Sequence, residues 1–147
     1  MIDGTIKLIK LHEGQNKHGD KHVPYKDIVG KLTIGYGRNL DDVGLSDTEA
    51  ESLLWNDVRQ CVEQLSAKFS WFSNLDAARR TVLIDMCYNM GITGLSKFVN
   101  MLNHVSVGNY ALAAEEMLNS KWAVQVKGRA TRLIEMMKTG LYPKELI

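Results

Sequence analysis

The chain has little proline, little cysteine, no long apolar run and no excess of charge of either sign. Two prolines in 147 residues, beside 12 glycines, exclude a Pro-rich disordered chain and a collagen-like repeat. The two cysteines, Cys61 and Cys87, lie far apart in sequence with no second pair. That excludes a disulfide framework or zinc knuckle and is the pattern of two reduced thiols. No apolar stretch reaches the ~18 residues of a membrane span. Met1 to Leu11 has lysines among its apolar residues and lacks the h-region and cleavage site of a signal peptide. A net charge of +1 argues against a dedicated nucleic-acid binder, which carries a basic excess.

What is present is the patterning of one domain, or of two small lobes sharing a core. Asp3 to His12 reads as a helix capped by Asp3, with an apolar stripe of Ile6, Ile9 and Leu8 or Leu11 and a stop at Gly14. Residues 14–22 are polar and read as a loop. Val23 to Asp27 and Leu32 to Tyr36 read as a hairpin around Ile28-Val29-Gly30, with Gly30 at positive φ. Arg38 to Leu45 is polar and turn-rich. Ser46-Asp47-Thr48-Glu49 is a capping box that opens a long helix to about Lys68. Its apolar positions, Ala50, Leu53, Leu54, Trp55, Val58, Val62 and Leu65, recur at three and four. Residues 76–90 are apolar on nearly every side from Val82 onward, the mark of a central helix. Gly91 and Gly94 bracket a tight connection. Helices near 95–104, 109–119 and 127–138 follow, the last ending at Gly140. The fold class is α+β, mostly α. A small N-terminal lobe (about 13–45) is followed by a linking helix (about 46–68) and a helical lobe (about 74–147), on which the first helix packs. A cleft between such lobes is a natural ligand site.

Glu13 ends the first helix. The partial negative charge of a helix C-terminus, together with apolar neighbours, favours a protonated carboxyl. That is the form a general acid needs in order to protonate a leaving-group oxygen. With a loop of residues 28–30, Asp27 opposes Lys31 and Tyr25 opposes Thr33, so Asp27 and Thr33 share a face. A carboxylate and a hydroxyl side by side can hold one water, as an inverting glycoside hydrolase requires opposite its acid.

In order along the chain stand Leu-His-Glu-Gly (11–14), Tyr-Lys-Asp (25–27), Gly30 and Thr-Ile-Gly-Tyr-Gly (33–37). Then come Leu-Asp-Ala-Ala-Arg-Arg (75–80), Asn89-Met90-Gly91, Thr93-Gly94, Phe98, Ser120-Lys121-Trp122, Gly128-Arg129-Ala130 and Thr139-Gly140. This ordered set, spanning almost the whole chain, resembles the phage-type lysozymes of the T-even kind, glycoside hydrolase family 24. The resemblance implies a muramidase that cuts between N-acetylmuramic acid and N-acetylglucosamine with inversion. It implies Glu13 as the acid, Asp27 as the second carboxylate and Thr33 as the residue placing the water. Asn39, Tyr88, Asn89, Trp122, Gln125 and Arg129 match substrate-binding or cleft positions. The implied contact of Arg129 with Glu13 would favour the ionised carboxyl, against the helix end, so the net direction stays open. The implied role is that of a phage or prophage endolysin, a monomer without cofactor or bound metal. It would be held in the host cytoplasm, released by a holin and act on peptidoglycan in the periplasm, without inserting in a membrane or binding nucleic acid.

The chain departs from that pattern in three places. Residues 15–22 lengthen the stretch between Glu13 and Asp27, which makes Asp20 a rival second carboxylate; the longer loop is expected to overhang the site beside Asp27. Arg38 stands where the family has a histidine, and is expected to pair with Asp57. The segment after Leu40 is too short for the family's extra small-lobe helix. Three other readings remain, the weakest being a helical nucleic-acid module with a basic patch of Arg79, Arg80, Lys127, Arg129 and Arg132. His12, His18, Asp20 and His22 offer a possible metal set in a loop, though without a His-Glu-x-x-His motif. A lysozyme fold with a decayed acid site would be a peptidoglycan-binding module.

Overall fold

The first helix, α1, runs Asp3–Glu13; the Gly14 N–H makes its last helical bond, to the Lys10 carbonyl at 3.1 Å, and the φ of 63° at Gly14 then turns the chain out of the helix. Asp3 is its first helical residue and not its cap: Ile2 holds that position and no side chain caps the helix. Residues 2–146 are described by the computed structural model, which separates into two compact units, Met1–Leu53 and Leu54–Ile147.

In the first unit, residues 14–22 are not simply a loop. Lys17–His18 (β1) and Lys21–His22 (β2) pair antiparallel around Gly19-Asp20, with Gly19 at φ 66°. Tyr25–Lys26 (β3), Leu32–Ile34 (β4) and Arg38–Asn39 (β5) form a second sheet in that order. Tyr25 pairs with Thr33, the Asp27 N–H reaches the Lys31 carbonyl at 2.9 Å, and Gly30 has φ 83°. The three-residue loop 28–30 and its register are therefore as the sequence indicates. β5 replaces the start of the expected turn. The turn itself follows, closed when the N–H groups of Val43 and Gly44 donate to the Asn39 carbonyl at 3.1 and 3.3 Å. None of α1 is buried, and Ile6, Leu8, Ile9 and Leu11 are all exposed. Thr33, 3% exposed, is the sole buried side chain among the described residues of this unit.

Helix α2, Asp47–Lys68, opens on the capping box. The Glu49 N–H donates to Ser46 Oγ at 3.2 Å and the Ser46 N–H to Glu49 Oε1 at 2.9 Å. Its apolar stripe is buried only in the second half. Cys61 and Leu65 lie in the core, whereas Leu53, Leu54 and Trp55 are exposed, Trp55 by 62%.

In the second unit a short 3-10 turn at Phe72–Asn74 precedes α3, Ala77–Ser96, capped by Asp76. Gly91, at φ 77° and ψ 164°, breaks its helical geometry, so the expected connection is a kink inside one hydrogen-bonded run. Val99–Ser106 (α4), Tyr110–Leu118 (α5), Lys121–Val126 (α6) and Gly128–Thr139 (α7) follow. α4 begins four residues later than its pattern suggests, and α6 is an addition. The core collects Leu65, Val82, Leu83, Met86, Leu95, Met101, Met117 and Met137. α3 is central to it, as its apolar circumference requires. Cys61 and Cys87 are both buried, free thiols. Burial, with a hydrogen bond to Cys61, pushes the Cys87 thiol up to about 12.

Arg79 ties the start of α3 to the end of α7. Its Nε donates to the Met137 carbonyl at 2.7 Å and Nη2 to the Lys138 carbonyl at 3.0 Å. Its guanidinium lies 3.7 Å over the Tyr110 ring, and Nη1 pairs with Asp76 at 3.1 Å. Arg79→Met is expected to cost about 1.5–3 kcal/mol in urea unfolding, the range for hydrogen bonds to charged groups. Arg79→Lys is expected to recover less than half. An ammonium cannot serve both carbonyls and lie flat on the ring.

Candidate active site

Glu13 is the last residue of α1 and is an exposed residue. A Cβ added at Gly37 would lie 2.7 Å from Glu13 Oε2 and 3.0 Å from its Cδ. The carboxylate thus rests against the bare backbone of the β4–β5 turn, Gly35-Tyr36-Gly37. Gly37 has φ 85°, so a glycine is required there on both counts.

Asp27 closes the β3–β4 loop with its own side chain. Oδ1 accepts the N–H of Val29 at 3.0 Å and of Lys31 at 2.8 Å. This Asx-type closure holds the carboxylate in place through one oxygen. The β3–β4 register puts Asp27 and Thr33 on one face. Thr33 Oγ1 donates its proton to the Lys31 carbonyl at 2.9 Å, so its lone pairs face any further partner as acceptors. Asp20 sits exposed at the turn of the β1–β2 hairpin. Asn39 uses its amide locally: Nδ2 donates to Asp42 Oδ2 at 3.0 Å and Oδ1 accepts the Asp42 N–H at 2.9 Å. Asp42 also meets Lys31 Nζ at 3.1 Å, which holds its carboxyl below the usual aspartate range.

Arg38 pairs with Glu49, not with Asp57. Nη2 meets Oε2 at 2.6 Å, and Nη1 meets Oε1 at 2.9 Å and the Gly44 carbonyl at 3.1 Å. The capping box has already aimed Glu49 at the helix start, whereas Asp57 lies about 12 Å further along α2. Among the described residues, no group of three or more His, Cys, Asp or Glu side chains could hold a metal ion. His12, His18, Asp20 and His22 therefore do not form such a set.

The second unit gathers three further candidates. Asn89, Trp122 and Gln125 line one groove of about 840 Å³, with Lys97, Phe98 and Glu116. Trp122 is 6% exposed, stands edge-on to Phe98 at 6.2 Å, and donates Nε1–H to Asn89 Oδ1 at 3.3 Å. It is as much a wall of the core as a surface for ligand. Lys97 and Glu116 belong to no local sequence motif. Tyr88 is half-exposed beside this groove's Asn89. Arg129 is elsewhere in the unit, its Nε donating to Asp85 Oδ1 at 2.7 Å.

The Phage lysozyme family model matches residues 15–137. The chain belongs to the phage lysozyme family. It is a glycoside hydrolase, a peptidoglycan-hydrolysing lysozyme. Similar proteins include a probable T4-type lysozyme 2 of Dictyostelium discoideum, 30% identical over 95% of this chain and 96% of that protein. A SAR-endolysin of bacteriophage PS119 is 30% identical over 78% of this chain and 70% of its own length. The pre-baseplate central spike protein Gp5 of Enterobacteria phage T4 is 33% identical over 45% of this chain, but that is 12% of its own length. No helix among the described residues of this lysozyme is long and apolar enough to cross a membrane.

Arg38 and Ser46 hold the Glu49 carboxyl well below its ordinary 4.5, at about 2. A carboxyl depressed in the folded state stabilises above its unfolded value, and that contribution is lost as pH falls through the folded one. Replacing Glu49 by Gln is expected to lower the thermal midpoint at about pH 7, with the difference from the parent shrinking between about pH 4.5 and pH 2. A difference that persists unchanged at about pH 2 would refute the pairing as its source.

Proposed function

We propose that this lysozyme cleaves the β-1,4 bond between N-acetylmuramic acid and N-acetylglucosamine, with inversion at the sugar carbon. The observation that carries the reading is the shared face of Asp27 and Thr33, with Asp27 anchored through Oδ1 alone. Oδ2 and the lone pairs of Thr33 Oγ1 can then accept the two hydrogens of one water, leaving its own lone pair for attack. Glu13 gives its proton to the glycosidic oxygen as the bond to the sugar carbon breaks. Water adds to that carbon from the opposite face, and Asp27 takes the proton it releases.

Asn89, Trp122 and Gln125 supply a carbonyl, an aromatic wall and an amide in one groove, the mix of apolar surface and few polar groups that suits a glycan. Similarity to SAR-endolysins of phages supports an endolysin role. In that role the enzyme works as a monomer without cofactor, is released from the host cytoplasm by a holin, and cuts the wall in the periplasm.

Turbidity loss of outer-membrane-permeabilised Gram-negative cells tests the assignment. Glu13→Gln and Asp27→Asn are each expected to lower the lytic rate by about 100-fold or more, the scale of one general acid or base. Asp20→Asn is expected to match the parent. Full activity in Glu13→Gln would remove the acid from this position. Loss in Asp20→Asn with activity kept in Asp27→Asn would transfer the second role to Asp20. Glycan binding without lysis by the parent would instead favour a binding module.

A further inference from the structure

Tyr36 stands at the tip of the three-residue β4–β5 turn, between two glycines at φ 68° and 85°. Three separate parts of the first unit meet at this turn. Lys10 Nζ, from α1, lies 5.0 Å from the Tyr36 ring centroid. His22, the last residue of β2, packs edge-on against the same ring, with centroids 5.2 Å apart and planes at 65°. Next along the turn, Gly37 receives the Glu13 carboxylate. Lys10 and Glu13 are three residues apart, one turn of helix on one face. The dipeptide Tyr36-Gly37 therefore touches α1 twice: through the ring at Lys10 and through bare backbone at Glu13. His22 Nδ1 is buried with no hydrogen-bond partner among the described residues, so packing on Tyr36, not a bond at that atom, holds that edge of the imidazole.

We propose that Tyr36 is a positioning residue for Glu13. Its ring clamps the last turn of α1 through Lys10 and the 17–22 hairpin through His22, which fixes where the Glu13 carboxylate stands relative to the sheet that carries Thr33. The hairpin is then a brace for the acid, which gives the added residues 15–22 a task that does not require them to touch substrate. The ring makes both contacts, and the hydroxyl makes neither. This inference rests on Glu13 being the acid.

The test is steady-state kinetics on soluble fluorescein-labelled peptidoglycan fragments, with thermal melts of each variant. Tyr36→Leu is expected to lower kcat between about tenfold and 100-fold, the cost of small misplacement of a reacting group, with KM within about twofold of the parent. Tyr36→Phe is expected to restore kcat to within about twofold, because it keeps the ring. The double variant Lys10→Met, His22→Leu changes two side chains at the rim of the unit. It is expected to lower kcat at least about fivefold, and it decides the matter if Tyr36→Leu fails to fold. Parent-like kcat in the double variant or in Tyr36→Leu, a loss confined to KM, or no rescue by Tyr36→Phe would each overturn the proposal. Glu13→Gln runs alongside; activity retained there would overturn the acid assignment itself, a result distinguishable from the others.

Discussion

Two backbone N–H groups donating to one carboxylate oxygen set the geometry on which the first unit depends. Asp27 Oδ1 takes both, from Val29 and Lys31, and so closes the 28–30 loop at three residues. That loop length fixes the register in which Tyr25 faces Thr33, and a slip of one residue would turn Thr33 to the other face. The unit has no apolar core to enforce the register by burial, since among its described residues Thr33 alone is buried. Carboxylates do the work instead. Asp41 accepts the Leu32 N–H at 2.7 Å, Asp42 holds Lys31 and Asn39, and Glu49 holds Ser46 and Arg38. In the proposed mechanism Asp27 therefore has two tasks on two oxygens. Asn at this position keeps a carbonyl acceptor for the loop and loses the charge, which is why that substitution separates fold from chemistry.

The parts legible in the sequence are those set by short-range chemistry. The Ser46–Glu49 capping box, the three-residue loop with its positive-φ Gly30 and the Gly140 stop are local hydrogen-bond or steric requirements, and each is found where its residues stand. The apolar circumference of α3 is equally local. Less legible was the β1–β2 hairpin. Its Lys and His residues show no apolar alternation, and its only signal was Gly19-Asp20 between two Lys/His pairs. β5 was hidden for the same reason, behind polar residues that pair through backbone alone. In α2 the periodicity of Leu53, Leu54 and Trp55 was real but did not predict burial, because a stripe marks a face without naming what covers it.

For the candidate site, residue types and order were legible, and partners were not. Asp27 and Thr33 share a face because of a local loop. By contrast, Arg38 chooses Glu49 over Asp57 because the capping box has already oriented one carboxylate toward it. An arginine there has no titration near neutral pH, so the pair responds to acid through Glu49 alone. Asn39 looked available to a ligand in sequence, yet its amide closes its own turn on Asp42. Trp122 likewise serves the core before it serves the groove.

The β4–β5 turn brings these threads together. Its two glycines are needed for different reasons: Gly35 only for its φ, Gly37 for its φ and for the space that Glu13 occupies. A turn so permissive would by itself leave its tip free to move. Tyr36, carried on that tip, is the one large side chain available to restrain it, and it does so by lying between a lysine of α1 and a histidine of the added hairpin. In a unit whose described residues bury no apolar side chain, one aromatic ring is shared by α1, the β1–β2 hairpin and the β4–β5 turn. The same ring thereby links the length of the 15–22 segment to the placement of the carboxylate one helical turn beyond Lys10.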